Sequence, residues 1–105
     1  MESSQVLARA EIVGAAREML AGDLSFIEGS RVIFTKRFPA QLDDDPDVPP
    51  FIGIYSQTDA LPIGDERVGW AQEALDKLSP EIERLEAWAR SFGSNSCAAL
   101  IRKFR

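Results

Sequence analysis

The middle of the chain, residues 51–70, most constrains how this sequence can fold. This segment, which we call the strap, reads FIGIYSQTDALPIGDERVGW. Its many apolar side chains favour burial, whereas its Gly, Pro and Asp residues argue against one regular helix. Burial of Phe51, Ile54 and Trp70 would each contribute on the order of 2 kcal/mol. We therefore predict that the strap is ordered and irregular, and that it packs between the helices on either side of it.

The segment before the strap begins with a predicted helix over residues 4–21. Gly22 is suited to end this helix, because glycine readily adopts the left-handed backbone conformation. Gly14 lies inside the pattern and costs the helix up to about 1 kcal/mol relative to alanine, so we predict that a neighbouring helix packs closely against it. Apolar residues at helical spacing define the predicted buried face: Val6, Ala10, Val13, Ala16 and Leu20, with Ile12 and Met19 widening it.

A second helix is predicted to begin at Asp23 or at Ser25. Ser25 and Glu28 have the spacing of a capping box, in which the two residues cap the first turn. The pair Gly29–Ser30 indicates another close helix crossing, and Pro39 prevents the helix from continuing. Because the connection between the first two helices is so short, we expect them to pack as an antiparallel hairpin.

Residues 41–50, QLDDDPDVPP, form a predicted polar connector. Four aspartates invite a calcium interpretation, but the central Gly and the final Glu of an EF-hand loop are missing. A solvated acidic loop is the better interpretation. After this connector, residues 51–55 contain a short apolar run of β-prone residues, which allows a short extended segment at the start of the strap.

The C-terminal third of the chain is predicted to be helical. Apolar spacing indicates a short helix over residues 66–78, and Ser79-Pro80-Glu81 is a typical start signal for a further helix. The apolar stripe of that last helix keeps its phase across residues 93–95, so we predict one long helix with a weak point there. The sequence thus predicts a single all-α domain over residues 1–105: a helical hairpin, an ordered irregular strap and a long C-terminal helix.

Composition excludes several classes of function. The 105 residues contain no histidine and one cysteine, which removes His-based catalytic triads, the commonest zinc ligand and an intrachain disulfide. A net charge of −5 disfavours nucleic-acid binding and suits a basic partner. There is neither an apolar run of about 20 residues nor a secretory signal, so we expect no membrane association and a cytoplasmic location. No motif calls for a cofactor or a metal ion.

No constellation of residues indicates catalysis, and the strongest candidates are binding residues in and near the strap. Asp59, Glu66, Arg67 and Trp70 lie in the strap, and Arg31 lies on the second helix. We interpret the chain as a non-enzymatic module that binds another protein through the four strap residues and the acidic surface. For Asp59 alone, the more common role is to hold a bend by accepting hydrogen bonds from backbone amides.

Two other interpretations remain open. In the first, a pocket between the strap and the second helix binds a small molecule or substrate, with Arg31 and Asp59 as its polar anchors. In the second, the chain is a helical homodimer that buries Trp88 and Phe92 across a two-fold axis. Trp70, Trp88 and Phe92 could form an exposed anchor for a partner protein, but core packing is their default role. Cys97 is predicted to be a buried thiol without a catalytic role.

Parts of the strap and of the second helix resemble a known sequence pattern. The segments Phe51–Ile54 and Thr58–Gly64, followed by Arg67 and Trp70, are similar to a family of small uncharacterised bacterial proteins, and so is the stretch Ile27–Arg31. The resemblance brings no residue roles with it. By analogy with small acidic proteins that accompany secreted toxins, it implies an immunity-like protein that binds a basic toxin domain.

Overall fold

The computed structural model describes residues 3–104, and the elements in this part of the chain are helices. They are α1 (Ser3–Ala21), α2 (Phe26–Lys36), α3 (Pro49–Thr58), a 3-10 helix (Gly64–Gly69) and α4 (Gln72–Phe104). No strand occurs between residues 3 and 104. The predicted all-α class, with an N-terminal hairpin and a long C-terminal helix, is therefore confirmed.

Helices α1 and α2 form the predicted antiparallel hairpin. Gly22 ends α1 in the left-handed region, with φ at +87°. Ser25 caps α2, because its hydroxyl accepts a hydrogen bond of 2.9 Å from the backbone N–H of Glu28. At the far end of the pair, Lys36 on α2 lies 3.5 Å from a carboxylate oxygen of Glu11 on α1.

The close helix crossing occurs at one of the two predicted glycines. Gly29 is buried, and a Cβ atom at this position would overlap the side chain of Met19. Gly14 faces open space, so the predicted neighbour there is absent from residues 3–104 and that prediction is wrong. The predicted buried face of α1 is also partly wrong, because Val6, Ala10 and Leu20 are exposed. The buried face comprises the predicted Ile12, Val13, Ala16 and Met19, together with Ala8 and Ala15.

The first part of the strap is helical, so the extended interpretation of residues 51–55 is wrong. Pro49 and Pro50 occupy the first two helical positions, where the missing N–H of proline costs nothing. Phe51, Ile54 and Thr58 follow at helical spacing and form the buried face of α3. Burial of this stripe outweighs the β preference of the individual residues.

The predicted boundary at Ser79 is wrong, because α4 runs without interruption from Gln72 to Phe104 with Pro80 inside it. Residues 64–69 form a 3-10 helix rather than the start of a helix over 66–78. Pro80 is exposed, so the carbonyl that lacks its usual N–H partner can bond water. The apolar stripe runs through Leu75 before Pro80 and through Ile82 and Leu85 after it, which keeps the helix in register.

The core joins all four α-helices, and a smaller cluster holds the strap. The largest fully buried residues include Phe26, Phe51 and Ile54. The smaller cluster consists of Ile27, Ile63 and Leu85, with Leu61, Ile82 and Trp88 packed against it. The strap is therefore ordered, as predicted. Val68 and Trp70 are exceptions among its apolar residues, since 88% and 43% of their surfaces are exposed, and the predicted burial of Trp70 is wrong.

We expect Ser30→Ala to raise the free energy of unfolding by about 1 kcal/mol, because it removes a buried polar group that lacks a partner. Ser30 is fully buried and its hydroxyl makes no hydrogen bond to the part of the chain that the structure describes. Urea unfolding of the variant and the parent would measure the change.

Thr58→Val is the matched control for Ser30→Ala. Thr58 is equally buried, but its hydroxyl donates a hydrogen bond of 2.7 Å to the carbonyl of Ile54. Valine preserves the shape and removes this bond, so stability should fall by about 1 kcal/mol. A loss of stability in both variants would contradict the assignment of Ser30 as unpaired.

Candidate functional site

Arg31 connects three parts of the strap to α2. Its Nη2 atom donates hydrogen bonds to the carbonyls of Thr58 and Leu61, at 2.9 and 3.0 Å. Its Nη1 atom lies 2.7 Å from a carboxylate oxygen of Glu66. The cation thus sits at the C-terminal end of α3, where free carbonyls and the helix dipole both favour positive charge.

Glu66 completes this arrangement, which we call the Arg31 latch. Its carboxylate also accepts a hydrogen bond of 3.2 Å from the N–H of Ile63, at the start of the 3-10 helix. The hydrogen bond from Arg31, and then that from Ile63, holds the pKa of the Glu66 carboxyl below its usual range. The latch fixes the 3-10 helix relative to α2, although no residue of that helix is buried.

The structure brings together two of the five candidate binding residues, Arg31 and Glu66, and joins them to each other. Asp59 is exposed at the end of α3, and its carboxylate makes no hydrogen bond to residues 3–104. The expected role of Asp59 in holding the bend is therefore wrong, and Arg31 has that role instead. Arg67 and Trp70 are exposed at the far end of the strap.

The far end of the strap presents two apolar side chains to solvent. Val68 is 88% exposed and Trp70 is 43% exposed. The backbone N–H of Trp70 donates a hydrogen bond of 3.0 Å to the carbonyl of Arg67, which closes the last turn of the 3-10 helix. We call residues 64–71 the strap tip. Its backbone is ordered by the Arg31 latch while its apolar side chains remain unpacked.

Two shallow depressions lie between α2 and the strap. One has a volume of about 310 Å³ and is lined by Arg31, while the other, of about 340 Å³, is lined by Arg67 and Glu86. Asp59 lines neither of them. The predicted pocket between the strap and α2 thus has one of its two expected anchors, and three of the hydrogen bonds of Arg31 are already made within the protein. This arrangement leaves little for a small ligand to bind.

Glu86 has a structural role that the sequence did not reveal. From α4, its two carboxylate oxygens accept hydrogen bonds from the backbone N–H groups of Phe26 and Ile27, at 2.7 and 3.1 Å. These N–H groups belong to the first turn of α2, which has no partners for them within the helix. A carboxylate is well suited to this end of the helix dipole. No local signal could have predicted a cap that comes from 60 residues away.

Glu86→Ala is expected to lower the free energy of unfolding by about 2 kcal/mol, because it leaves two amides of the first turn of α2 without an acceptor. Glu86→Gln should lose about half as much, since it keeps one acceptor oxygen. Chemical denaturation would measure both changes.

The control for Glu86 is Glu83→Ala, an exposed glutamate on the same helix. It makes the same change in charge and in helix propensity, and we expect an effect below about 0.5 kcal/mol. Equal losses for the two alanine variants would show that the cap contributes nothing.

The acidic connector is partly neutralised by two nearby cations. Lys103, near the end of α4, lies 2.8 Å from Asp45 and 2.7 Å from Asp47. Arg37 lies 3.2 Å from Asp43. Hydrogen bonds from Lys103 to the two aspartates raise the pKa of its ammonium group. The connector is therefore a poorer attractor of a basic partner than its sequence indicates.

Two further sequence predictions concern α4. Cys97 is buried, as predicted, and burial raises the pKa of its thiol to about 12. Trp88 is partly buried and stacks on Phe92 with ring centroids 5.3 Å apart, but Phe92 remains 49% exposed. Core packing thus accounts for Trp88 only in part. Across residues 3–104, no helix is both long and apolar enough to span a membrane.

Comparison of the chain with protein-family models, with curated proteins and with solved structures finds no match. The resemblance to a bacterial family and the immunity-like role that it implies therefore remain predictions. The assignment of function has to rest on the geometry of the strap and of the surfaces around it.

Proposed function

We propose that this protein is a non-enzymatic module that binds a basic protein partner through the strap tip. The observation that supports the proposal most strongly is the exposure of Val68 and Trp70 on an ordered backbone. Tryptophan is among the residues that most often dominate the energy of protein interfaces. An exposed tryptophan next to a nearly fully exposed valine is a suitable anchor for such an interface.

The Arg31 latch supports the proposal because it fixes the strap tip before any partner arrives. Binding that orders a loop loses part of its favourable energy to the conformational entropy of that loop. Here the ends of the 3-10 helix are held by Glu66 and by the hydrogen bond from Trp70 to Arg67. A partner would therefore meet a preorganised surface.

Charge around the strap tip supports a basic partner. Within six residues of Trp70 on either side, the sequence has four acidic residues and one basic residue: Asp65, Glu66, Glu73, Asp76 and Arg67. The net charge of the chain is −5. Such a field raises the association rate of a positively charged partner and makes binding weaken as salt is added. The most specific form of the proposal is an immunity-like protein that binds a basic toxin domain.

The proposal can be tested by affinity capture from an extract of the host, followed by binding measurements with the purified partner. We expect a basic protein to be captured, and we expect Trp70→Ala to weaken its affinity at least tenfold, as is typical of a central anchor. Affinity should also fall as the salt concentration rises to about 0.5 M.

Phe38→Ala is the control variant, because Phe38 is an exposed aromatic residue at the end of α2 rather than in the strap. It should bind like the parent protein. Asp59→Ala tests the middle of the strap, at the C-terminal end of α3, and is expected to have a smaller effect than Trp70→Ala. Full partner binding by both strap variants, or binding that is insensitive to salt, would disprove the proposal.

A further inference from the structure

A second apolar surface, besides the strap tip, lies where α3 packs against the middle of α4. The two helices are antiparallel there: a Cβ atom on Gly53 would lie 3.7 Å from the Phe92 ring, and Gln57 lines a depression of about 230 Å³ with Trp88. We call this surface the aromatic face. We propose that two copies of this chain associate through the aromatic face in a two-fold symmetric dimer. This proposal does not depend on the proposed function.

The aromatic pair at the centre of this face has the properties of an interface anchor. The rings of Trp88 and Phe92 are stacked at 14° to each other, so each fixes the orientation of the other. Phe92 lies beside α3, yet 49% of its surface remains exposed to solvent. Gly53 has no side chain to cover it. Large aromatic rings with few rotamers lose little entropy on binding, which is why they concentrate at interface centres.

The charge distribution identifies a second copy as the occupant. Helix α3, PPFIGIYSQT, contains no charged residue. By contrast, the outward side of α1 carries the exposed Glu11, Arg17 and Glu18. In a two-fold dimer each surface meets itself, so like charges near the axis would repel. For a chain with a net charge of −5, an uncharged face is where two copies can approach each other.

The nearest charges belong at the edge of such an interface. Arg84 lines the same depression as Trp88 and is paired with Glu81 on its own helix, with 2.7 Å between the charged atoms. Nothing on the face therefore attracts a basic protein, which separates it from the strap tip. An uncharged centre with a polar edge is the usual arrangement of protein interfaces.

The size of the face predicts a reversible dimer. Residues 81–99 of α4 extend over about 27 Å, and two packed helices are about 20 Å wide. The face thus offers roughly 500 Å² per copy, below the roughly 800 Å² of a typical stable interface. We therefore expect a dissociation constant on the order of micromolar, and a monomer–dimer equilibrium that is visible on dilution.

Analytical ultracentrifugation from about 1 µM to about 1 mM would test this expectation directly, because that range brackets the predicted dissociation constant. The weight-average mass should rise from 11.6 kDa towards twice that value. Phe92→Ser should weaken dimerisation at least tenfold. Phe38→Ser replaces another exposed phenylalanine, which is 59% exposed and belongs to neither α3 nor α4, and it should leave dimerisation unchanged.

A second pair of variants tests charge without removing any packed side chain. Gly53→Glu and Gly53→Gln add side chains of the same shape at a position where a Cβ atom makes ordinary contacts. Both should fold, because each replaces a glycine within a helix by a better helix former. The Glu variant should dimerise more weakly than the Gln variant, and added salt should reduce that difference.

Tryptophan fluorescence gives an independent readout of the same equilibrium. In a Trp70→Phe background the emission comes from Trp88, and it should shift to shorter wavelength as the protein concentration rises. A single 11.6 kDa species over the whole range would overturn the proposal. So would a dimer that persists in both Phe92→Ser and Gly53→Glu. Neither result would affect partner binding through the strap tip.

Discussion

Replacement of Phe51 by alanine is expected to lower the free energy of unfolding by about 4 kcal/mol, because it deletes a large side chain from the centre of the core. Phe51 is fully buried, and its ring packs from α3 against Gly93 on α4. A domain of this size has a total stability of about 5–15 kcal/mol, so this single change would remove a large fraction of it. Urea unfolding followed by circular dichroism would measure the loss.

The control for Phe51 is Phe92→Ala, which removes the same side chain from a half-exposed position. We expect a loss of about 1–2 kcal/mol from this variant, since about half of the ring is already in water. Similar losses for the two variants would mean that the core is not centred on the α3–α4 contact. Measurements at low protein concentration keep the proposed dimer from contributing to the comparison.

The second large effect is expected for Gly93→Val, which should destabilise the protein by about 3 kcal/mol through overpacking. A Cβ atom at Gly93 would lie 3.2 Å from the ring of Phe51, 3.3 Å from Ile54 and 3.5 Å from Phe26. Valine would add two further carbon atoms at this crossing. The neighbouring side chains are fully buried and have no free space into which to move.

Gly14→Val is the matched substitution, in a helix position that faces open space. Valine and glycine differ by only a few tenths of a kcal/mol in helix propensity, so we expect a change below about 0.5 kcal/mol. If thermal or chemical unfolding found equal losses at the two glycines, the tight crossing at Gly93 would be absent in solution.

Local signals in the sequence were sufficient for some elements and misleading for others. The start of α2 could be predicted because Ser25 and Glu28 interact within one turn. The boundary at Pro80 could not, because an exposed proline can remain in a helix whose apolar stripe continues on either side. Residues 51–55 have β-prone side chains, but their burial against α2 and α4 determines the conformation.

The two glycines of the hairpin show why packing is hard to predict from composition. Gly14 and Gly29 both lie inside helices beside small residues, and both indicated a close approach. They differ only in what opposes them: Met19 faces Gly29, whereas nothing between residues 3 and 104 faces Gly14. That difference depends on the rotation of α1 about its own axis. The apolar Val6 and Leu20 indicated a different buried face, although both are exposed.

The sequence predicted which residues belong to the candidate site, but not the contacts between them. Arg31 and Glu66 were both candidates, yet their ion pair spans 35 residues and had no sequence signal. Trp70 was expected to be buried with the other large apolar residues of the strap, and residues 66–78 were predicted to form a short helix. The chain forms a 3-10 helix over Gly64–Gly69 instead, which has no buried face and leaves Trp70 in solvent.

The Arg31 latch has a consequence for the dynamics of the chain. One guanidinium group holds the C-terminal end of α3 and the 3-10 helix, and lysine could not replace its planar set of donors. In Arg31→Lys, the amide hydrogens of residues 64–71 should exchange with solvent by a local opening that leaves α1 protected. We therefore expect one side chain of α2 to control the lifetime of the strap tip, separately from global unfolding.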